Sequence, residues 1–138
     1  MSDSELTIFV YGTLKPGGAY WSEFCEGKLS SILAAKICGE LYDLHLGYPG
    51  LRLIGDSWVQ GYLLTYKNRA DFNRVDELEG FEPDRPESDN EYNRVLVDCY
   101  TPTGHFLGRF WTYEVTRAVL GKVAATRIAD GNWPVSGG

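Results

Sequence analysis

The residues best suited to chemistry begin with a glycine-rich loop near the N-terminus. The loop, Gly12-Thr13-Leu14-Lys15-Pro16-Gly17-Gly18, follows a β-branched and aromatic run from Leu6 to Tyr11. Glycine lets backbone N–H groups approach a ligand closely. A phosphate loop is excluded because Gly18 and Ala19 stand where that motif needs Lys and then Ser or Thr. The loop therefore predicts either a nest of backbone donors for a smaller anion, such as a carboxylate, or a plain turn.

A carboxylate at the end of the one strong helical pattern, Asn68 to Gly80, is the second candidate. Projected at about 100° per residue, Glu79 falls within the apolar stripe of that helix, whereas Asp76 and Glu77 fall outside it and are expected to face solvent. Partial burial and the negative end of the helix dipole should both raise the pKa of Glu79, which suits a general base. The alternative is that Glu79 reaches solvent from a frayed helix end, and periodicity leaves both open.

The sequence does not favour metal or thiol chemistry. Cys25, Cys38 and Cys99 cannot all pair, and none is spaced as in a zinc or redox motif. The two histidines, His45 and His105, have no second ligand at helical spacing. We expect no metal site and three thiols that take no part in the chemistry.

Strands and turns surround these candidates. Strand character is predicted for Leu6–Tyr11, Lys36–Tyr42, Trp58–Tyr66, Tyr92–Tyr100 and Phe106–Val115. Turns are expected at Tyr48-Pro49-Gly50-Leu51, between the last two strands and at Asp130-Gly131-Asn132-Trp133-Pro134. Glu82 to Glu91 is predicted to be a polar, proline-containing loop that borders any site at Glu79, because it follows that residue directly. The tail from Thr116 is ambiguous. Several strands with one strong helix indicate the α+β class.

Composition narrows the class of protein. The 138 residues fit one domain, 1–138, with 1–5 and 135–138 expected to fray. Nineteen acidic against 13 basic residues give a formal charge of -6, which disfavours nucleic acid as a partner. No apolar run is long enough to cross a membrane, and the N-terminus is acidic where a signal peptide would be basic. These features predict a cytoplasmic protein, and the oligomeric state is left open.

Five pieces, taken in order, resemble the gamma-glutamylcyclotransferase-like (AIG2-like) family, and their order and spacing match over about residues 6 to 133. The pieces are Val10-Tyr11-Gly12-Thr13-Leu14-Lys15-Pro16-Gly17, Tyr48-Pro49-Gly50-Leu51, Val75-Asp76-Glu77-Leu78-Glu79-Gly80-Phe81, Tyr92-Asn93-Arg94 and Trp111-Thr112-Tyr113. The resemblance implies a small mixed β-barrel with flanking helices, whose site lies where the first loop meets the carboxylate.

The resemblance also implies roles and an activity. Glu79 matches the catalytic carboxylate, Tyr11, Gly12, Thr13 and Leu14 match the loop that holds a γ-glutamyl head, and Tyr92 matches a tyrosine of the pocket wall. The implied reaction converts a γ-glutamyl amide or amine to 5-oxoproline and the free amine, without a cofactor. Two alternatives stay open: a non-catalytic domain that binds γ-glutamyl or similar carboxylate ligands, and a purely structural domain with an acidic partner-facing surface. The identity of the leaving amine is also open.

Overall fold

The computed structural model describes residues 6–134 apart from 83, 85, 87 and 88, and within them it contains eight strands and three helices. The expected frayed tails, and part of the Glu82 to Glu91 loop, lie outside the described residues. The strands are β1 (Thr7–Val10), β2 (Leu29–Cys38), β3 (Glu40–Asp43), β4 (Pro49–Arg52), β5 (Trp58–Tyr66), β6 (Tyr92–Tyr100), β7 (Phe106–Val115) and β8 (Thr126–Arg127). The helices are α1 (Trp21–Phe24), α2 (Arg69–Leu78) and α3 (Arg117–Leu120).

Five strands close into a barrel in the order β1-β5-β2-β6-β7, and β4-β3-β8 form a separate small sheet. The pairs β1–β5, β2–β5, β2–β6 and β6–β7 are antiparallel, whereas β7 returns to β1 in parallel, with Ile8 opposite Trp111. The sheet is therefore mixed, and the prediction of an α+β fold built on a small mixed β-barrel with helices is confirmed.

Strand β1 is buried along its whole length because the core lies on both of its faces. Ile8 and Val10 belong to the cluster that also contains Phe72 of α2, whereas Phe9 packs in a second cluster of the barrel. Alternate side chains of a strand point to opposite faces, so both sets are held at once. Packing on both faces of β1 therefore fixes the position of the residue from which the following loop begins.

Helix α2 begins and ends as its sequence predicts, within a residue or two. Asn68 caps it, its side chain accepting a hydrogen bond from the Asp71 N–H at 2.9 Å. Gly80 follows with φ of 66°, a conformation that glycine adopts at no steric cost. Glu79 is the C-cap residue, one position beyond the last helical turn in which the periodicity placed it. In the described part of the chain, no helix has the length and apolar character needed to cross a membrane.

Two predictions need correction, and the tail that the sequence leaves ambiguous takes a definite form. The turn expected at Tyr48–Leu51 is largely strand β4, which pairs with β3 through the buried residues Leu41 and Leu51. The strand expected at Lys36–Tyr42 is two strands, and β2 begins earlier, at Leu29, where exposed side chains gave no apolar alternation. The ambiguous tail forms α3 and the two-residue strand β8. The strands Trp58–Tyr66, Tyr92–Tyr100 and Phe106–Val115 have the predicted bounds.

Candidate active site

A cavity of about 170 Å³ lies where the loop after β1 meets the end of α2, and we call it the loop pocket. The structure brings all six residues singled out from the sequence to its wall: Tyr11, Gly12, Thr13, Leu14, Glu79 and Tyr92. Tyr20, Tyr48, Glu91 and Tyr113 also line it. The roles of these residues remain predictions, but their common location is a property of the fold.

Three residues of the loop after β1, Gly12, Thr13 and Leu14, line this cavity. The Gly12 carbonyl accepts from the Lys15 N–H at 3.1 Å, and the Thr13 carbonyl accepts from the Tyr20 N–H at 3.0 Å, so the loop's carbonyls are tied back. Among the described residues, no backbone carbonyl accepts from the amides of Gly12, Thr13 or Leu14. Successive free amides at a turn form a concave anion site. Binding of a carboxylate by these amides stays a prediction.

Gly12 has no room for a side chain. A Cβ placed on it would lie 2.8 Å from both Cγ and Cδ of Pro49, the first residue of β4. The loop and β4 therefore approach each other at van der Waals contact. This explains why Tyr48 and Pro49, far away in the sequence, line the loop pocket.

A buried lysine anchors the far side of the loop. Lys15 is 4% exposed, and its Nζ donates to Asn132 Oδ1 at 2.8 Å and to the Trp133 carbonyl at 2.5 Å. Desolvation lowers the pKa of Lys15. Since both acceptors belong to the C-terminal segment, this side chain fixes the loop rather than contributing a charge to the pocket.

Glu79 is the most perturbed carboxylate facing the loop pocket. Burial raises its pKa from 4.5 to about 8, and the charges of Glu91 and Asp76 contribute further. Its carboxylate has no hydrogen-bond or ion-pair partner among the described residues. A carboxyl group with a pKa near neutrality, open to a cavity and without a partner, can both accept and return a proton.

Tyrosine hydroxyls join residues of the pocket wall to one another. Tyr11 donates to the Tyr113 carbonyl at 2.6 Å, and Tyr92 donates to the Pro49 carbonyl at 2.6 Å. Burial raises the pKa of both Tyr11 and Tyr92. Tyr48 donates to Glu91 Oε1 at 2.7 Å, and burial, followed by that carboxylate, raises the pKa of Tyr48 to about 12. These phenols therefore stay neutral and hold the wall rigid.

The expectation that Asp76 faces solvent is wrong. The Tyr113 hydroxyl donates to Asp76 Oδ1, and Arg94 NH1 donates to Asp76 Oδ2 at 3.0 Å. Arg94 in turn lies over the Trp111 ring, 4.9 Å from its centroid. Asp76 borders the apolar arc of α2, and the guanidinium of β6 covers it, which helical periodicity cannot show. Glu77 is exposed, as expected.

Sequence reasoning also missed Glu91 and Tyr48 as site residues. Glu91 is one of several carboxylates in a polar loop, and Tyr48 precedes a predicted turn. Their hydrogen bond joins residues 43 positions apart, so no local pattern could have revealed it.

No thiol lines the loop pocket, although Cys25 Sγ donates to the carbonyl of the pocket residue Leu14 at 3.8 Å. Cys25 and Cys99 are buried, Cys38 is exposed, and none of the three lines the cavity. Within the described ranges, no three His, Cys, Asp or Glu side chains are grouped as metal ligands would be.

Comparison of sequences gives two matches. The profile of the family described as "Gamma-glutamyl cyclotransferase, AIG2-like" matches residues 8–135. A relative from Niallia circulans, named gamma-L-glutamyl-butirosin B gamma-glutamyl cyclotransferase, is 35% identical over 115 residues, which are 80% of this chain and 67% of that protein.

Solved structures share the fold at low identity. An AIG2-like protein from Mus musculus has a TM-score of 0.61 and 20% identity, with 82% of this chain and 78% of that chain covered. PH0828 from Pyrococcus horikoshii has a TM-score of 0.62 and 20% identity, with 92% and 88% covered. YkqA from Bacillus subtilis has a TM-score of 0.62 and 18% identity, and this chain spans 92% of its own length but only 39% of YkqA.

Proposed function

Since the chain belongs to the gamma-glutamyl cyclotransferase, AIG2-like family, we propose that it converts a γ-glutamyl amide or amine to 5-oxoproline and the free amine, with Glu79 as general acid and base. Membership confirms the resemblance seen in the sequence. The observation that carries the proposal is the unpartnered Glu79 carboxylate, with a pKa of about 8, in the same cavity as the free amides of the loop after β1.

The loop supplies the binding half of the proposal. The amides of Gly12, Thr13 and Leu14 would receive the α-carboxylate of the γ-glutamyl head. Tyr11 and Tyr92, held by their hydrogen bonds to backbone carbonyls, would flank the aliphatic part of the head. Anchoring the carboxylate at one end directs the α-amine toward the γ-carbonyl, and such intramolecular positioning contributes a large part of the rate.

Glu79 supplies the chemical half. The α-nitrogen attacks the γ-carbonyl carbon, a ring C–N bond forms, and the bond to the leaving nitrogen breaks. Starting from the ammonium form, the α-nitrogen loses two protons and the leaving nitrogen gains two, so protons balance. Glu79 would take a proton from the α-nitrogen and deliver it to the leaving nitrogen as that bond breaks. These are acyl and proton transfers, so the proposal requires no redox cofactor.

The test is product analysis with a panel of γ-glutamyl amides and amines. We expect 5-oxoproline and free amine in equal amounts from at least one member. Release of glutamate in place of 5-oxoproline would contradict cyclisation, because water would then be the nucleophile. Saturable binding of every member without turnover would instead support the non-catalytic binding domain.

A further inference from the structure

Arg94, on β6, holds the stretch of chain that carries Glu79 from both sides. Its guanidinium donates to Asp76 Oδ2 at 3.0 Å, three residues before Glu79. The same guanidinium lies over the ring of Phe81, two residues after Glu79, at 5.4 Å from the ring centroid, and over the ring of Trp111 at 4.9 Å. Both flanks of Glu79 are therefore attached to one side chain of the barrel.

Backbone hydrogen bonds close the turn between the same two flanks. The Phe81 N–H donates to the Asp76 carbonyl at 2.9 Å, and the Glu79 N–H donates to the Val75 carbonyl at 3.0 Å. Glu79 thus continues the last turn of α2, and residues at i and i+3 of a helix are neighbours on its surface. Asp76 consequently lies beside Glu79 and holds this turn through both its carbonyl and its carboxylate.

Asp76 is also connected to the wall of the loop pocket. The Tyr113 hydroxyl donates to Asp76 Oδ1, and the Tyr113 carbonyl accepts from the Tyr11 hydroxyl at 2.6 Å. Tyr11 and Tyr113 line the pocket together with Glu79. One hydrogen-bonded network therefore runs from Arg94 to the cavity in which Glu79 lies.

The charges near Glu79 are of both signs. Burial raises the pKa of Glu79, and the carboxylates of Glu91 and then Asp76 raise it further. Of these two carboxylates, Asp76 is the one paired with a cation among the described residues, and the side chains of the Arg94–Asp76 pair are only 22% and 18% exposed, so solvent screens them weakly. The other titratable groups of the pocket are phenols, those of Tyr11, Tyr20, Tyr48, Tyr92 and Tyr113.

We propose that Asp76 and Arg94 are positioning residues for the reaction, and that the balance of their two charges sets the pH at which Glu79 exchanges its proton. Their contacts hold the turn that carries Glu79. The Asp76 carboxylate opposes ionisation of Glu79, and the Arg94 guanidinium offsets part of that effect. This inference rests on the proposed function, in which Glu79 carries the proton.

The experiment measures the pH profile of kcat/KM on the best γ-glutamyl substrate for the wild type, Asp76→Asn, Arg94→Met and the double variant. Asp76→Asn keeps the shape of the side chain but removes its charge, so the midpoint should move to lower pH. The expected shift is about 0.5–1 pH unit, the effect of a partly screened charge one helical turn away. Arg94→Met leaves the Asp76 charge without its partner and should move the midpoint to higher pH. The double variant should lie between the two single variants.

Two exposed residues of α2 provide matched controls. Glu77→Gln and Arg74→Met make the same changes in charge as Asp76→Asn and Arg94→Met, and they should leave the midpoint unchanged. Arg94→Lys keeps the positive charge, so its midpoint should stay close to that of the wild type even where the rate falls. If Arg94→Met does not fold, the direction of the shift in Asp76→Asn decides the test.

Urea unfolding gives the same midpoint without substrate. The difference in unfolding free energy between each protein and its Glu79→Gln counterpart changes with pH as Glu79 ionises, and the pH range of that change should shift in the same directions. Midpoints that do not move, or that move the same way in Asp76→Asn and Arg94→Met, would overturn the inference, because a purely structural pair would lower rate and stability alone. Opposite shifts in unfolding, together with absence of 5-oxoproline from every substrate, would instead refute the proposed function and leave the effect on Glu79 standing.

Discussion

Replacing Glu79 by Gln should stabilise the protein, and the gain should grow as pH rises. The wild-type carboxyl has a pKa of about 8 when folded and about 4.5 when unfolded, so the unfolded chain releases its proton first. Between these values, ionisation therefore favours unfolding. The contribution of the Glu79 carboxyl to the free energy of unfolding is fully present below pH 4.5. It is lost progressively as pH rises to about 8. The Gln side chain has no such proton to lose.

The magnitude follows from the interval between the two pKa values. At about 1.4 kcal/mol for each pH unit, a rise from 4.5 to about 8 corresponds to about 5 kcal/mol above pH 8, and to about 3 kcal/mol at pH 7. These are upper bounds, because the carboxyl group keeps some contact with water through the loop pocket. Below pH 4.5 the two proteins should be about equally stable.

Urea unfolding of wild type and Glu79→Gln across pH 4 to 9 measures the difference directly. Glu77→Gln, on the exposed side of α2, is the matched control and should track the wild type. A stability difference that stays constant over this range would refute the argument, since it would mean that Glu79 titrates alike in the folded and unfolded chains. A difference that falls as pH rises would show that Glu79 has a stabilising partner.

Other consequences can be tested with standard assays. In Gly12→Ala the new Cβ would meet the proline of β4 at 2.8 Å, so the loop should shift. The shift should lower the free energy of unfolding by about 1–3 kcal/mol in denaturant unfolding, and it should also lower turnover in the protein that stays folded. Arg94→Met leaves Asp76 without its 3.0 Å ion pair, and should cost about 2 kcal/mol, less than for a fully buried pair, by the same unfolding assay. A thiol reagent should label Cys38 quickly on the folded protein without loss of turnover; inactivation without unfolding would refute this. The pH profile of kcat/KM should rise toward pH 8 and then level, as the Glu79 carboxylate forms; a flat profile would count against it.

The loop from Glu82 to Glu91 remains a predicted determinant of specificity. Shortening it should change the ranking of γ-glutamyl amines, because its C-terminal end carries Glu91 at the pocket edge. Asn90 holds the described ends of the loop together, accepting from the Glu82 N–H at 3.1 Å, so a shortened loop should keep both residues. An unchanged ranking would contradict this role.

Local sequence patterns predicted three of the long strands and helix α2, because each has a clear apolar pattern and turn or cap residues at its ends. Trp58–Tyr66 and the Tyr92–Val115 hairpin have apolar residues and flanking turns that mark their bounds, and Asn68 and Gly80 mark the ends of α2. Strand β2 was partly missed because its first half is exposed and lacks alternation. The parallel closure of β7 on β1 joins distant segments, and only the family resemblance implied a barrel.

In the candidate site, too, some residues could be found from local sequence patterns and others only from the tertiary structure. Helical periodicity placed Glu79 on the inward arc of α2 but left open whether it reaches solvent, and the structure places it at the C-cap, lining the loop pocket. Asp76 was misplaced because Arg94, on another element, covers it. Tyr48 and Glu91 form a pair only after β4 packs beside the loop, so their partnership is a product of tertiary structure.

The most direct test of the account is the rate of 5-oxoproline formation by Glu79→Gln on the best γ-glutamyl substrate, with Glu77→Gln measured in parallel. Gln keeps the size of Glu79 but has no basic oxygen, and one group is assigned both proton transfers. We expect turnover to fall by about 10²–10⁴-fold or more, since that range is typical of general acid–base groups. The variant should still fold and bind substrate. Glu77→Gln should stay within a few-fold of the wild type. Turnover by Glu79→Gln within a few-fold of the wild type would contradict the assignment of Glu79 as the proton carrier.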